Sequence, residues 1–147
     1  MQRFALGLID GRTVLVVTSG IGEANAAAAT ARALVLVDAP IVIAAGTTGG
    51  LARDINVGDI AVGVSAVYGQ ADATAFGYER GQVPGQPVAF PGDEDLLGHV
   101  GADVKTGLML SGDSFVTARN VGDMRQAFPK ALTTDMESAA AAQICAA

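Results

Sequence analysis

The 147-residue sequence has a single cysteine, Cys145, no tryptophan, and aromatic residues at only 5% of its positions. One cysteine excludes an internal disulfide and any metal site built from several thiolates, and it leaves Cys145 the role of a small buried hydrophobe. Basic residues are also scarce, nine Lys and Arg against fifteen Asp and Glu, for a net charge of −6. They fall singly along the chain. No basic patch exists to meet a phosphate backbone or an anionic bilayer, so neither nucleic acid nor membrane is expected as a partner. The apolar stretch 33–46 is broken by Asp38 and Pro40 and is too short to span a bilayer. Met1-Gln2-Arg3-Phe4 opens the chain without the apolar core of a signal peptide, and a cytoplasmic protein is expected.

Against these scarcities, half the residues are apolar. A chain of this length can bury about 68–70% of its unfolded surface, enough for one domain over residues 1–147 with a real core. So high an apolar content with so few charges points to buried strands or a large subunit interface.

Residues 4–9 are apolar, and Asp10-Gly11 is a hairpin turn signal. Thr13–Thr18 is β-branched and apolar on both faces, as in a strand covered on both sides. After the tight loop Ser19-Gly20-Ile21-Gly22, residues Glu23 to about Val37 are alanine-rich and helical, closed by Pro40. Ile41–Ala45 has the composition of a second buried strand and runs into the glycine-rich segment Gly46–Leu51. Asn56–Asp59 turns the chain into a β run from Ile60 to Tyr68, and residues 69–90 are a long loop rich in glycine with Phe76, Tyr78, Pro84 and Pro87. Pro91-Gly92-Asp93 starts a short helix through Val100. Val104–Leu110 is the next strand, Val121–Phe128 a helix stopped by Pro129. Strands alternating with helices make an α/β class with a largely parallel sheet. The polar loops follow predicted strands, at Thr18, Ala45, Leu110 and Thr134, the strand ends where open α/β sheets bind ligands.

The stretch Thr133–Ala140 places Asp135 and Glu137 around Met136 where a β-like segment passes into an alanine-rich helix. Carboxylates are favoured at a helix start by its free N–H groups and dipole, so an acidic cap is one reading. A ligand site, with a carboxylate gripping neighbouring hydroxyls and a thioether packed beneath, is the other. Gly20-Ile21-Gly22-Glu23-Ala24-Asn25 resembles a dinucleotide fingerprint only poorly. Asn25 replaces the third glycine, and Glu23 would set a negative charge where a pyrophosphate should dock. Gly46–Gly50 allows close backbone approach and offers two hydroxyls but has no P-loop lysine. Ser111–Ser114 reads as a turn closed by an Asx bond, with Phe115 after it as a plate on which a flat base could stack. His99 has no Ser, Cys or acid partner in a motif, and a Ser–His–Asp device is not supported.

Together the motifs Ser19–Gly22, Gly46–Leu51 with Val57–Ile60, Asp72–Tyr78 with Gly81–Gly85, Ser111–Phe115 and Asp135–Ala139 stand in the order and spacing of one family. They resemble the 5′-methylthioadenosine/S-adenosylhomocysteine nucleosidases of the purine nucleoside phosphorylase superfamily. The resemblance implies a three-layer α/β fold with a mostly parallel, mixed central sheet flanked by helices, here incomplete. It implies hydrolysis of the N-glycosidic bond of both substrates to adenine and a thioribose product, with no cofactor and no metal. By the same resemblance Glu137 would hold the ribose hydroxyls with Met136 packed on the sugar. Phe115 would stack on adenine and Val116 address its edge. Thr47 would sit near the nucleophilic water, and Ile21 would line the alkylthio pocket. Asp135 stands where the family carries a glutamate, as a substrate contact or a helix cap. Phe76 and Pro84 would cross a homodimer interface to close the partner's pocket.

In the family, the glutamate that activates water precedes the region where this sequence starts, and the aspartate that protonates the purine follows the helix in which it stops. The expected chain is therefore the middle of a nucleosidase, without its general acid and base, and weak or inactive by itself. The residues also favour water over phosphate as nucleophile, because neither early glycine loop contains a cation. A phosphate-dependent phosphorylase and a non-catalytic nucleoside- or dinucleotide-binding module are the alternatives.

Overall fold

A computed structural model describes all residues, 1–147. Its centre is a five-stranded mixed sheet built on β6 (Lys105–Ser111), which pairs in parallel with β4 (Ala61–Tyr68) on one side and β7 (Ala131–Asp135) on the other. Two short antiparallel strands close the edges: β3 (Gly49–Gly50) against β7, and β5 (Phe90–Pro91) against β4, giving the order β3-β7-β6-β4-β5. The parallel connection from β6 to β7 runs through α3 (Val121–Ala127) and that from β4 to β6 through the long loop and α2 (Glu94–Leu97), as parallel neighbours require. Asp93 caps α2 by accepting from the Leu96 N–H at 2.9 Å.

The core lies under the carboxyl ends of the parallel strands. Leu51, Val67, Leu110, Phe128 and Ala131 form one buried cluster, with Val116, Val121 and Met124 packed against it. Helix α4 (Ser138–Cys145) lies on β4 and β6, and α1 (Glu23–Leu36) packs on α4. Both helices bury alanines, Ala26 and Ala29 on α1 and Ala139–Ala141 on α4. Small side chains here let the two helix axes approach and bring the N-terminus of α1 to that of α4.

Strands β1 (Arg3–Ile9) and β2 (Arg12–Thr18) make the hairpin that Asp10-Gly11 signals, in register from Arg3↔Thr18 to Ile9↔Arg12. Both turn residues have positive φ, 49° and 77°, the backbone of a primed turn that matches strand twist. The expectation of a β2 covered on both faces fails. The hairpin is a separate two-stranded sheet, and Leu8 and Val16 are largely exposed. It rests on α1 through Arg32, whose guanidinium lies 4.7 Å over the Phe4 ring and whose Nη1 donates to Gln2. The buried strand expected at Ile41–Ala45 is also not formed. The segment finds no strand to pair with, and Ile41 and Ile43 stand exposed. The predicted helix ending at Val100 stops at Leu97, and the loop 69–90 gains a single 3₁₀ turn at Thr74–Phe76. Cys145, expected to be buried, is exposed at the last turn of α4; partial burial still pushes its thiol pKa up. No helix is long and apolar enough to cross a membrane.

Candidate functional site

Four segments meet above the carboxyl ends of β6 and β7. Ile21 comes from the β2–α1 loop and Thr47, Thr48 and Gly49 from the glycine-rich segment. Ser114, Phe115 and Val116 follow β6, while Thr134, Asp135, Met136 and Glu137 join β7 to α4. They enclose a cleft of about 280 Å³. Seven of the nine residues singled out from the sequence line it: Ile21, Thr47, Phe115, Val116, Asp135, Met136 and Glu137. Phe76 and Pro84 do not; both are exposed on the 69–90 loop.

The cleft is braced by long-range hydrogen bonds. The Gly22 N–H donates to Glu137 Oε1 at 2.8 Å, joining the first turn of α1 to the segment that opens α4. Glu137 Oε2 accepts from the Met136 N–H at 3.1 Å. Asp113 Oδ1 accepts from the Glu23 N–H at 2.8 Å, so the Asx bond expected within Ser111–Ser114 gives way to a clasp on α1. This is the helix N-terminal attraction for carboxylates, satisfied from other loops. Gly22 is held at φ 101°, and a Cβ there would stand 3.0 Å from Asp113 Oδ1, so the clasp needs glycine. Thr48 Oγ1 donates to the Thr134 carbonyl at 2.8 Å, fixing the glycine-rich segment to β7. Asn120 Nδ2 donates to the Phe115 carbonyl at 3.1 Å and anchors the backbone under an aromatic ring that is 75% exposed.

Asp135 borders the cleft, but its carboxylate is occupied. Its Oδ1 accepts from the Ser111 hydroxyl at 2.6 Å and from the Glu137 and Ser138 N–H groups at 3.2 and 3.1 Å, and its Oδ2 accepts from the Ser138 hydroxyl. Ser111, only 1% exposed, in turn accepts from the Ala139 N–H at 2.8 Å. These bonds give Asp135 the capping role at the start of α4. From the sequence alone Ser111 reads only as part of a turn. Its last place in a strand, one residue before a glycine, is the signal that could have marked it as a strand-end hydroxyl.

Glu23 is a further acidic residue beside the site, one that no sequence motif marks for substrate. Burial raises its carboxyl pKa above the ordinary value, and the neighbouring charges of Asp113 and Asp135 raise it further. Tyr68 is raised by burial and then by Glu23. Its hydroxyl donates to Gln143 Oε1 at 2.6 Å and its ring meets Phe90 edge-on. Away from the cleft, Asp72 orders the 69–90 loop by accepting from the Thr74 hydroxyl and N–H and from Arg80, and these bonds hold its carboxyl below the usual range. No group of three or more His, Cys, Asp or Glu side chains is arranged to hold a metal ion.

The cleft thus offers an exposed aromatic face, a thioether, hydroxyls and one carboxylate, Glu137, whose oxygens each accept a single N–H and keep further acceptor capacity. The sequence matches the model of the phosphorylase superfamily over residues 2–147. It is 40% identical, over 97% of its own length, to a 5′-methylthioadenosine/S-adenosylhomocysteine nucleosidase of Staphylococcus aureus (strain MRSA252), and it spans 66% of that relative. Its fold is similar to the crystal structure of such a nucleosidase from Colwellia psychrerythraea in complex with adenine. There the TM-score is 0.91 at 38% identity, covering 97% of this chain and 63% of that one. It is similar again to the enzyme from Neisseria meningitidis in complex with methylthio-immucillin-A. That TM-score is 0.89 at 39% identity, with 98% and 67% covered. The chain belongs to the phosphorylase superfamily and, within it, to the 5′-methylthioadenosine/S-adenosylhomocysteine nucleosidase family.

Proposed function

We propose that this chain carries the nucleoside-binding part of a nucleosidase that hydrolyses the N-glycosidic bond of 5′-methylthioadenosine and S-adenosylhomocysteine, releasing adenine and a thioribose. The observation that carries this is the convergence of Glu137, Met136 and Phe115 on one cleft at the strand ends. In this reading Glu137 accepts the two ribose hydroxyls while its backbone bonds keep the carboxylate in place. Met136 packs against the sugar, Phe115 stacks on the adenine, and the Val116 backbone addresses the purine edge. Ile21 meets the 5′-alkylthio group, and Thr47 positions water. The two relatives crystallised with adenine and with methylthio-immucillin-A support a ligand of that shape. The reaction belongs in the cytoplasm, and the exposed Phe76 and Pro84 close the cleft of a second copy in a homodimer.

Loss of adenine proceeds through an oxocarbenium-like state and needs a proton delivered to the base and one taken from water. Neither cleft carboxylate is free for that work. Asp135 is consumed in capping α4, and Glu137, held by two backbone N–H groups, is committed in this reading to the ribose hydroxyls. The cleft residues therefore serve binding rather than proton transfer, and each proton-transfer role is worth on the order of 10²–10⁴-fold in rate.

Calorimetric titration of methylthioadenosine into the wild-type chain and Glu137→Gln, beside urea unfolding of both, tests the reading. The variant should bind at least about tenfold more weakly while its unfolding midpoint moves little. Parallel losses in binding and stability would reduce Glu137 to a structural brace. Adenine release that requires phosphate and yields a sugar 1-phosphate would instead make the enzyme a phosphorylase.

A further inference from the structure

A second cleft, of about 410 Å³, shares no lining residue with the nucleoside cleft and begins two residues beyond it along the chain, at Leu51. Its walls carry Arg53, Arg125 and Gln126, its floor is Leu51, Phe128 and Ala131, and no acidic residue lines it. In a chain of net charge −6 with only nine cations, two guanidiniums sharing one cleft without a carboxylate is a departure from the rest of the surface. The ion pairs of the molecule are Arg80 with Asp72, and Lys105 with Asp54 and Asp59; neither Arg53 nor Arg125 takes part. Asp54, beside Arg53 in sequence, is thus engaged by Lys105. Asp123, two positions from Arg125 on α3, does not share its helix face.

Arg125 is set in position. Its Nε donates to the Leu51 carbonyl at 2.7 Å, which fixes the plane of the guanidinium and leaves both Nη groups without a protein acceptor. A planar fork held in this way is suited to oxyanions, which it can meet with two parallel charge-assisted bonds. The floor is part of the buried core, with Leu51 at 2% and Phe128 at 8% exposure, and a ligand seated there would have an apolar surface under its charged end.

We propose that this cleft is a binding site for a phosphate-type oxyanion, either inorganic phosphate or a phosphate monoester, held by Arg53 and Arg125 and distinct from the nucleoside cleft. Its position separates it from any nucleophile site, since Thr47, Thr48 and Gly49 face the nucleoside cleft while Leu51, Ala52 and Arg53 face this one.

The test is a titration of inorganic phosphate into the isotopically labelled chain, followed by amide NMR, with ionic strength held constant by chloride. Saturable shifts are expected at Ala52, Arg53, Gly122 and Gln126. Binding should weaken about tenfold or more in Arg53→Ala, an exposed residue with no hydrogen bond to lose, and also in Arg125→Lys, which keeps the charge but not the fork. Phenyl phosphate serves as the monoester probe. Tighter binding than inorganic phosphate at the same amides identifies a monoester with an apolar body as the ligand, and equal binding identifies phosphate itself. A flat titration would overturn the proposal. So would unchanged affinity in Arg53→Ala, or shifts confined to Thr48, Gly49 and Val116.

Discussion

The corner where β6, β7 and α4 meet and the region formed by the β1–β2 hairpin with residues 37–48 have similar apolar composition and opposite fates. In the first, Leu110 is fully buried and every strand has a parallel neighbour. In the second, Leu8 is 73% and Ile43 74% exposed, and the only strand pairing is the hairpin's own. The same β-branched, apolar chemistry buries itself only where sheet partners and a helix layer exist to receive it. Burial is thus decided by topology, which a local pattern does not carry.

The sharpest way to break the comparison is truncation on each side. Leu110→Ala should cost about 2–5 kcal/mol in urea unfolding, and Leu8→Ala about 0.5 kcal/mol or less. Equal costs would mean that the hairpin is packed as tightly as the core.

Within the ordered corner, two buried hydroxyls offer a finer contrast. Ser111 donates to Asp135 and accepts from Ala139, whereas Thr133, at 0% exposure, has no partner for its Oγ1. Ser111→Ala should therefore destabilise by about 1–3 kcal/mol. Thr133→Val should be neutral or stabilising, by up to about 1 kcal/mol, because it removes an unsatisfied polar atom at constant shape. A loss from Thr133→Val as large as that from Ser111→Ala would indicate a water bridging the threonine.

The smallest effect concerns Glu23, whose pKa is raised in the folded chain by burial, Asp113 and Asp135. A carboxyl with a raised folded pKa binds its proton more tightly when native. Stability then falls as pH rises above the unfolded glutamate value of about 4.3. Glu23→Gln should raise stability at pH 7 by a few tenths of a kcal/mol, a modest figure because the group is partly open to solvent, and the gain should fade below about pH 4. Thermal unfolding of both chains at pH 3.5 and 7 reads this directly; an equal gain at both would remove the charge explanation.

Much of the ordered corner was readable in the sequence. The strands near 61–68, 105–111 and 131–135, helices α1 and α3, and the Asp10-Gly11 turn follow from periodicity, prolines and turn chemistry. Seven of the residues the resemblance singles out line the cleft. Three things were not readable. Ile41–Ala45 has strand composition but no partner strand, and a ladder needs two. The two-residue strands β3 and β5 are too short to show alternation. The clasps on α1 come from Asp113 and Glu137, 90 and 115 residues from their N–H donors, and no local spacing encodes such pairs.

That last separation has a consequence for how the cleft could be assembled. A chain cut between α1 and β4 would leave one fragment with the Gly22 and Glu23 donors and another with the Asp113 and Glu137 acceptors. Neither fragment would contain a finished cleft. Recovery of nucleoside binding on mixing would then report the docking of α1 onto α4, so the site could serve as a reporter of fragment complementation as well as a pocket.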